Sequence, residues 1–219
     1  MTPRPSRLLT LRSHRRSFLP ALLLGVGLPL AVVAFLAQHF AFGGGLGFER
    51  GLSETLRGVR TPTGDGVARA LDRLGDGWLV LPLAAVIAGV LFRVRRPLGW
   101  FVLATVGGAA LLHTALRAVV DRPRPVLEGA LLSETGAGFP SGHVVFSAAL
   151  VLALAAVLWP TRARWVVLVL GTLWVVAMGW ARVYAGVHHA ADVVAALLLS
   201  LGWGLAMIAV FRPEHVLER

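Results

Sequence analysis

Six long stretches of this 219-residue sequence contain no aspartate, glutamate or arginine. They cover residues 17–48, 77–92, 97–116, 135–161, 165–181 and 193–211. A helix needs about 20 mainly apolar residues to span a bilayer. The pattern therefore predicts an all-α fold, a six-span transmembrane helical bundle, with the first span ending near Phe42 before a run of glycines.

The composition agrees with a membrane protein. Hydrophobic residues make up 57% of the chain and charged residues 15%, whereas a soluble domain has about 25% charged residues. This excludes a soluble enzyme and a disordered chain. The chain contains no cysteine, which excludes disulfides, thiolate nucleophiles and cysteine-based metal sites.

The arginines indicate how the spans are oriented. If the N-terminus is cytoplasmic, the inside segments are residues 1–16, 93–96, 162–164 and 212–219, and they contain twelve arginines and two acids. The outside segments contain nine arginines and nine acids. This positive-inside distribution accounts for the net charge of +10 without nucleic acid. We expect cytoplasmic tails at 1–16 and 212–219 and a single membrane domain at 17–211.

The longest predicted external segment is residues 43–76. Apolar residues recur in it at helical spacing: Leu52, Leu56, Val59, Val67, Leu71 and Leu74. They predict two short amphipathic helices on the outer surface, separated by a turn at residues 61–66. A lid, a lipid-guiding element and a plain connector are equally compatible with this segment.

The other external segments bring together a set of polar residues. They are Arg117, Arg122, Arg124, Ser141, Gly142, His143, Arg182, His188, His189 and Asp192. Arginine forks match phosphate oxygens. Ser141 can cap the helix that follows it, and the N–H groups of Gly142 and His143 would then face an anion. Gly142 would also let the anion approach closely.

Two histidines provide a nucleophile and an acid for this anion site. His188 and Asp192 are four residues apart, so on a helix the carboxylate can orient the imidazole. The residues alone do not decide between His188 and His189, or between Arg122-Pro123 and Arg124-Pro125. His113, one turn before Arg117, and Tyr184 are further candidates for the site, and Tyr184 is equally suited to be an interfacial anchor.

Three motifs resemble those of a known family. Arg117-x6-Arg124-Pro125, Pro140-Ser141-Gly142-His143 and Arg182-x5-His188-x3-Asp192 look like the signatures of the type 2 phosphatidic acid phosphatases (PAP2). These are membrane relatives of vanadium haloperoxidases and bacterial acid phosphatases. The resemblance covers about residues 75–211. It departs from the family pattern at Arg117, usually lysine, and at Ala181, usually serine.

The resemblance implies a metal-independent phosphatase or diphosphatase that acts through a phosphohistidine and needs no cofactor. Family spacing favours His188 as the nucleophile, with Asp192 orienting it and His143 as the general acid. The phosphate-binding residues would be Arg117, Arg124, Ser141, Gly142 and Arg182, and no residue would bind metal.

The expected substrate is a lipid phosphate embedded in the outer leaflet of a bacterial inner membrane. The external site favours undecaprenyl diphosphate, and phosphatidylglycerophosphate and phosphatidic acid stay open. A multi-span transporter with an external anion site is the alternative from another class. The polar residues lie at span ends and no repeat is visible, whereas transporters often have inverted repeats and sites near the middle of the membrane.

Overall fold

The computed structural model describes residues 23–125 and 129–213, and these residues form helices and loops without a strand. A π-helical turn, Leu23–Gly27, leads into α1 (Leu28–Ala41). The other helices are α2 (Phe48–Gly58), α3 (Pro62–Gly75), α4 (Gly77–Val94), α5 (Arg96–Val120), α6 (Gly142–Val157), α7 (Ala163–Tyr184) and α8 (Ala190–Phe211). The predicted basic tail at 1–16 and most of the C-terminal tail lie outside the described residues.

The all-helical prediction is confirmed, and five helices of the described chain are long and apolar enough to cross a membrane. They are Leu23–Ala41, Gly77–Val94, Arg96–Val120, Ala163–Tyr184 and Ala190–Phe211. The predicted stretch at 135–161 is helical over Gly142–Val157 only, 16 residues, because its first part is a loop. The six-span count therefore stays a prediction.

The short helix α6 lies at the centre of the bundle and packs against α4, α5, α7 and α8. Most of its buried residues are alanine or valine. Small residues let membrane helices approach closely. On the facing helices, a Cβ at Gly171 would lie 2.5 Å from Val151, and one at Gly204 would lie 3.0 Å from Leu152.

The outward faces of the long helices are apolar. On α7, Val169, Leu170, Leu173 and Val176 are each 57–63% exposed. An apolar surface continued over several helices is unusual for a soluble monomer. In a bilayer the acyl chains would cover it, which agrees with an integral membrane protein.

Two helices, α2 and α3, occupy the predicted external segment. The predicted turn at residues 61–66 is wrong in extent, because α3 begins at Pro62 and the Thr61 hydroxyl accepts a hydrogen bond from the Gly64 N–H (3.1 Å). The residues of α2 that are buried in the protein are Glu49 and Ser53 rather than its leucines. The expectation that these helices lie amphipathically on a membrane surface stays a prediction.

Candidate active site

A cavity of about 440 Å³ lies where α6 begins and α5 ends. Five of the predicted site residues line it: Arg117, Arg124, Gly142, His143 and His188. Three others lie behind the lining and are fully buried: Ser141, Arg182 and Asp192. The fold thus brings all eight predicted residues to one region, although three loops and helices far apart in sequence supply them.

His188 lies in the loop between α7 and α8 and is 2% exposed. Its Nδ1 is 2.8 Å from the Gly138 carbonyl oxygen. A carbonyl can only accept, so Nδ1 carries the proton and Nε2 keeps its lone pair. Burial, reinforced by the positive charges of Arg182 and Arg124, holds the pKa of His188 well below its ordinary value of 6.5. The result is a neutral imidazole whose unprotonated Nε2 can accept a hydrogen bond or act as a nucleophile.

Asp192 faces the same imidazole from behind. Its Oδ2 is 3.6 Å from His188 Nδ1, longer than a hydrogen bond, and it accepts instead from the His189 N–H (2.8 Å). The predicted shared helix face is wrong, because α8 begins at Ala190 and His188 precedes it. The hydrogen bond that fixes the imidazole is accepted by the Gly138 carbonyl, and Gly138 belongs to none of the sequence motifs.

The structure distinguishes the alternatives that the residues alone left open, His188 or His189 and Arg122 or Arg124. Arg124 and His188 line the cavity, whereas Arg122 and His189 lie outside it. Arg124 donates to His188 Nε2 (3.1 Å). Arg122 is instead buried against the carboxylates of Glu49 and Asp192.

Two acidic residues that were not predicted occupy the arginine cluster. Arg182 is fully buried and pairs with both Asp72 and Glu134. Arg124 also pairs with Glu134, at 2.8 Å. We call these the cavity ion pairs. The carboxylates thus occupy hydrogen-bonding positions of two arginines that the sequence predicts to bind phosphate.

Asp72 and Glu134 line the same cavity as His188, so Asp192 is not the only acid near the imidazole. Burial alone would raise the pKa of Glu134, but Arg182 and then Arg124 lower it below the ordinary 4.5. Glu134 lies in the loop before the second motif and Asp72 on α3. Their sequence signal was only an acid in an external segment, which solubility explains equally well.

Asp72 and Glu134 also bear on the expectation that no residue of the site binds a metal. Ligand atoms of Asp72, Glu134 and His143 lie within 4.8 Å of one another. However, Arg182 pairs with both carboxylates and Arg124 with one of them. These neighbouring positive charges oppose a cation at this position. Metal independence stays a prediction, and it now needs a direct test.

His143 is in the first turn of α6. Its Nε2 is 3.1 Å from the Asp72 carbonyl oxygen and 3.4 Å from Asp72 Oδ1. Because the carbonyl accepts, Nε2 carries a proton in this arrangement. His143 and His188 thus line the same cavity, and the Nε2 proton of His143 is donated to the Asp72 carbonyl.

Ser141 and Gly142 are where the sequence places them, but they act differently. Ser141 is the N-cap residue of α6 without a side-chain capping bond, and its buried hydroxyl has no partner among the described residues. A Cβ at Gly142 would lie 3.0 Å from His113 Nε2. A side chain at position 142 would therefore crowd the His113 ring, which packs on Phe146 at 5.3 Å. His113 also lines the cavity.

Arg117 and Tyr184 have contacts that the sequence did not suggest. Arg117 donates from Nη2 to the Thr135 carbonyl oxygen at 3.1 Å. Tyr184 is neither a cavity residue nor an exposed interfacial anchor, since it is 5% exposed. Its hydroxyl lies 3.0 Å from both the Thr61 N–H and Asp65 Oδ1, so it joins α7 to the start of α3.

Comparison with known sequences gives one family. The family model described as the PAP2 superfamily matches residues 98–215. Phosphatidylglycerophosphatase B of Escherichia coli K12 is 34% identical over 83 residues, which are 38% of this chain and 32% of the relative. Phosphatidylglycerophosphatase B of Bacillus subtilis is 29% identical over 149 residues, 65% of this chain and 73% of the relative. The match spans about a third of the Escherichia coli protein.

Two solved structures have the same fold. The Bacillus subtilis transmembrane PAP2-type phosphatidylglycerolphosphate phosphatase has a TM-score of 0.72 at 24% identity, covering 83% of this chain and 94% of that one. Aquifex aeolicus LpxE has a TM-score of 0.63 at 22% identity, covering 75% and 96%. The family match covers more than half of the sequence and includes all three motifs. This chain therefore belongs to the PAP2 superfamily.

Proposed function

We propose that this protein is a bacterial lipid phosphate phosphatase in which His188 is the nucleophile. The observation that supports this best is the neutral, buried imidazole whose Nε2 faces the cavity beside Arg124. An imidazole held in one tautomer between arginines is suited to attack phosphorus. Membership of the PAP2 superfamily supports the same reaction class.

The proposed reaction has two steps, formation of a phosphohistidine and its hydrolysis. His188 Nε2 attacks phosphorus in line and the bond to the leaving oxygen breaks. His143, as an imidazolium released from the Asp72 carbonyl, gives that oxygen its Nε2 proton and becomes neutral. Water then attacks the phosphohistidine, His143 takes a proton from the water, and phosphate leaves as His188 is regenerated. Arg117, Arg124 and Arg182, with the N–H groups at the start of α6, stabilise the equatorial oxygens of each transition state.

The cavity ion pairs add one requirement to binding. Before the arginines can bind a phosphate, Asp72 and Glu134 must release Arg182. A dianionic phosphate replaces two carboxylates at similar charge, so the arginines stay paired throughout. The small cavity at the end of apolar helices suits a phosphate group whose lipid tail stays in the bilayer.

Two substrates have support. The names of the Escherichia coli and Bacillus subtilis relatives favour phosphatidylglycerophosphate. The charge distribution of the sequence favours an external site and thus undecaprenyl diphosphate. We propose phosphatidylglycerophosphate first, because the relatives bear on the substrate directly and the charges bear only on the side of the membrane.

A phosphate-release assay on purified protein in detergent tests the function. We expect release from phosphatidylglycerophosphate, undecaprenyl diphosphate or phosphatidic acid, undiminished by EDTA, and the fastest of the three identifies the substrate. No release from any lipid would favour the transporter alternative. Inhibition by EDTA that a divalent ion reverses would instead assign Asp72, Glu134 and His143 to a metal.

Because the chain contains no cysteine, single introduced cysteines can show on which side of the membrane the cavity lies. A single cysteine at the exposed Glu54 should react with an impermeant thiol reagent in intact cells, and one at the exposed Arg95 should react only after lysis. The reverse result would place the cavity on the cytoplasmic side and remove the support for undecaprenyl diphosphate. It would leave the proposed chemistry unchanged.

A further inference from the structure

Arg122, which the proposed reaction does not use, is among the buried charged residues of the described chain. It is 5% exposed and lies in the loop after α5. Its guanidinium carbon lies 3.6 Å from the centre of the Phe40 ring. One nitrogen donates to Asp192 Oδ1 at 2.5 Å and another donates to Glu49 Oε2 at 2.6 Å. It therefore bridges two carboxylates that are far apart in sequence.

Glu49 enters this cluster from α2, the helix that the sequence places on the surface. It is 3% exposed. Oε1 accepts from the Ala191 N–H (3.2 Å) and Oε2 from the Leu46 N–H (3.1 Å). Burial alone would raise the pKa of Glu49, but the hydrogen bond from Arg122 and the backbone donors lower it below 4.5. Glu49 is thus held ionised and also contacts the first turn of α8.

The charges of Glu49, Arg122 and Asp192 add up to a net negative charge beside His188. Both oxygens of Asp192 accept hydrogen bonds, from Arg122 and from the His189 N–H, which is the pattern of an ionised carboxylate. One cation between two anions leaves one net negative charge. That charge lies against the protonated Nδ1 side of His188. When Nε2 bonds to phosphorus, the imidazole becomes positive and the region becomes neutral.

We propose that Glu49 and Arg122 are positioning residues for the nucleophile: together they hold Asp192 facing His188 and set the net negative charge behind the imidazole. We call Glu49, Arg122 and Asp192 the buried triad. The proposal rests on the proposed function, in which His188 becomes positive during phosphoryl transfer. It assigns α2 a part in the reaction, although α2 supplies no residue to the cavity lining.

The pH dependence of kcat/KM separates this role from simple support of the fold. The acid limb of kcat/KM reports protonation of His188 in the free enzyme. In Glu49→Gln a negative charge is lost, so the imidazolium is disfavoured and the limb should move to lower pH by about one unit. In Arg122→Gln a positive charge is lost, and the limb should move to higher pH. In the double variant the two shifts should largely cancel.

The turnover rate should also change when the charge of Glu49 is removed. We expect kcat to fall about tenfold in Glu49→Gln with KM changed little, because the group acts on the chemical step. Glu54→Gln is the matched control, since Glu54 is on the same helix but is exposed and paired with Arg50. If Arg122→Gln does not fold, Glu49→Gln and Glu49→Asp decide the result, and Glu49→Asp should regain part of the activity.

Four other groups influence the charge on His188 and stay unchanged in these variants. They are Arg124, Arg182, Glu134 and His143. A limb that moves in opposite directions for Glu49→Gln and Arg122→Gln therefore reports the buried triad. A lower kcat with an unmoved limb in both variants would overturn the proposal, as would Glu49→Gln behaving like Glu54→Gln.

Hydrogen exchange tests the positioning role of Glu49 without requiring that the protein turn over a substrate. Amides at residues 186–192 should exchange severalfold faster in Glu49→Gln than in wild type or Glu54→Gln, because Glu49 accepts from the Ala191 N–H. If wild type releases no phosphate from any lipid, the proposed function fails, and exchange alone then decides whether Glu49 positions the segment. Unchanged exchange would overturn the positioning as well.

Discussion

The cavity ion pairs and the buried triad are both arginines bound to two carboxylates, yet they differ in what can replace those carboxylates. The cavity pairs join Arg182 to Asp72 and Glu134, whose side chains are 26% and 28% exposed. In the triad, the carboxylates around Arg122 are 3% and 0% exposed. In the proposed function a phosphate enters the first cluster and displaces the acids, whereas the second cluster is closed to solvent.

This difference in exposure explains why Arg122 and Arg124, which are separated only by Pro123, have different proposed roles. Arg124 is at the cavity and Arg122 is enclosed by α1, α2 and α8. A buried charge left without its partner costs several kcal/mol, so the triad should stay fixed. In the cavity pairs Arg182 is also buried, but its two carboxylates are partly exposed, so in the proposed function a phosphate of similar charge can take their place.

The largest effect is expected at His188, which lies between the two clusters. His188→Ala should lower kcat by about 10⁴-fold or more, because the covalent intermediate cannot form. His189→Ala is the matched control and should keep most of the activity, since His189 contributes its backbone N–H to Asp192. Phosphate release and trapping of the phosphoenzyme after rapid quenching measure both. Equal losses would mean that the two histidines have been assigned in the wrong order.

The next effect tests the cavity cluster itself. Arg182→Ala should lower kcat by about 10²- to 10³-fold, because a donor to the equatorial oxygens is lost. Arg50→Ala is the control, as Arg50 is exposed on α2. Steady-state kinetics on the preferred lipid would show the difference. Activity within twofold of wild type would mean that Arg182 only balances the charges of Asp72 and Glu134.

A smaller effect distinguishes replaceable carboxylates from fixed ones. Glu134→Gln should lower the Ki of vanadate by about two- to fivefold, because a partly exposed competitor for Arg124 and Arg182 loses its charge. Glu54→Gln should leave Ki unchanged. Competitive inhibition assays with the lipid substrate would measure both. Weaker vanadate binding in Glu134→Gln would indicate that Glu134 supports the arginines rather than competing with the anion.

The smallest effect concerns the stability contributed by the triad. The pKa of Glu49 is lowered on folding, so its contribution is present above its unfolded pKa, near 4.5, and is lost as pH falls through the lower folded pKa. Tm in detergent should therefore be lower for Glu49→Gln than for wild type at pH 7. The gap should narrow below pH 4.5. A gap that is constant with pH would mean that Glu49 is not stabilised as a carboxylate.

Local sequence patterns predicted much of the fold, because a helix that spans a bilayer must hydrogen-bond its own backbone polar groups and therefore forms a long uninterrupted apolar segment. The apolar stretches at 77–92, 97–116, 165–181 and 193–211 all lie in helices within a few residues of their predicted bounds. The stretch at 135–161 was predicted less well, because its first residues are apolar for a different reason. Ala137 and Phe139 are buried in the loop that carries Gly138 to His188.

The sequence by itself determined the class of molecule and most of the reacting groups. Long uncharged stretches require helices in a bilayer, and three short motifs identify arginines and histidines suited to a phosphate. Tertiary structure alone decided which groups surround them. Asp72, Glu134 and Glu49 are ordinary acids in polar segments until α2 packs against α7 and α8 and α3 packs against α6 and α7. The contacts of Asp72 and Glu49 are distances of about 3 Å between residues that are roughly 70 to 140 positions apart, and Glu134 pairs with Arg182, which is 48 positions away. No local pattern encodes such distances.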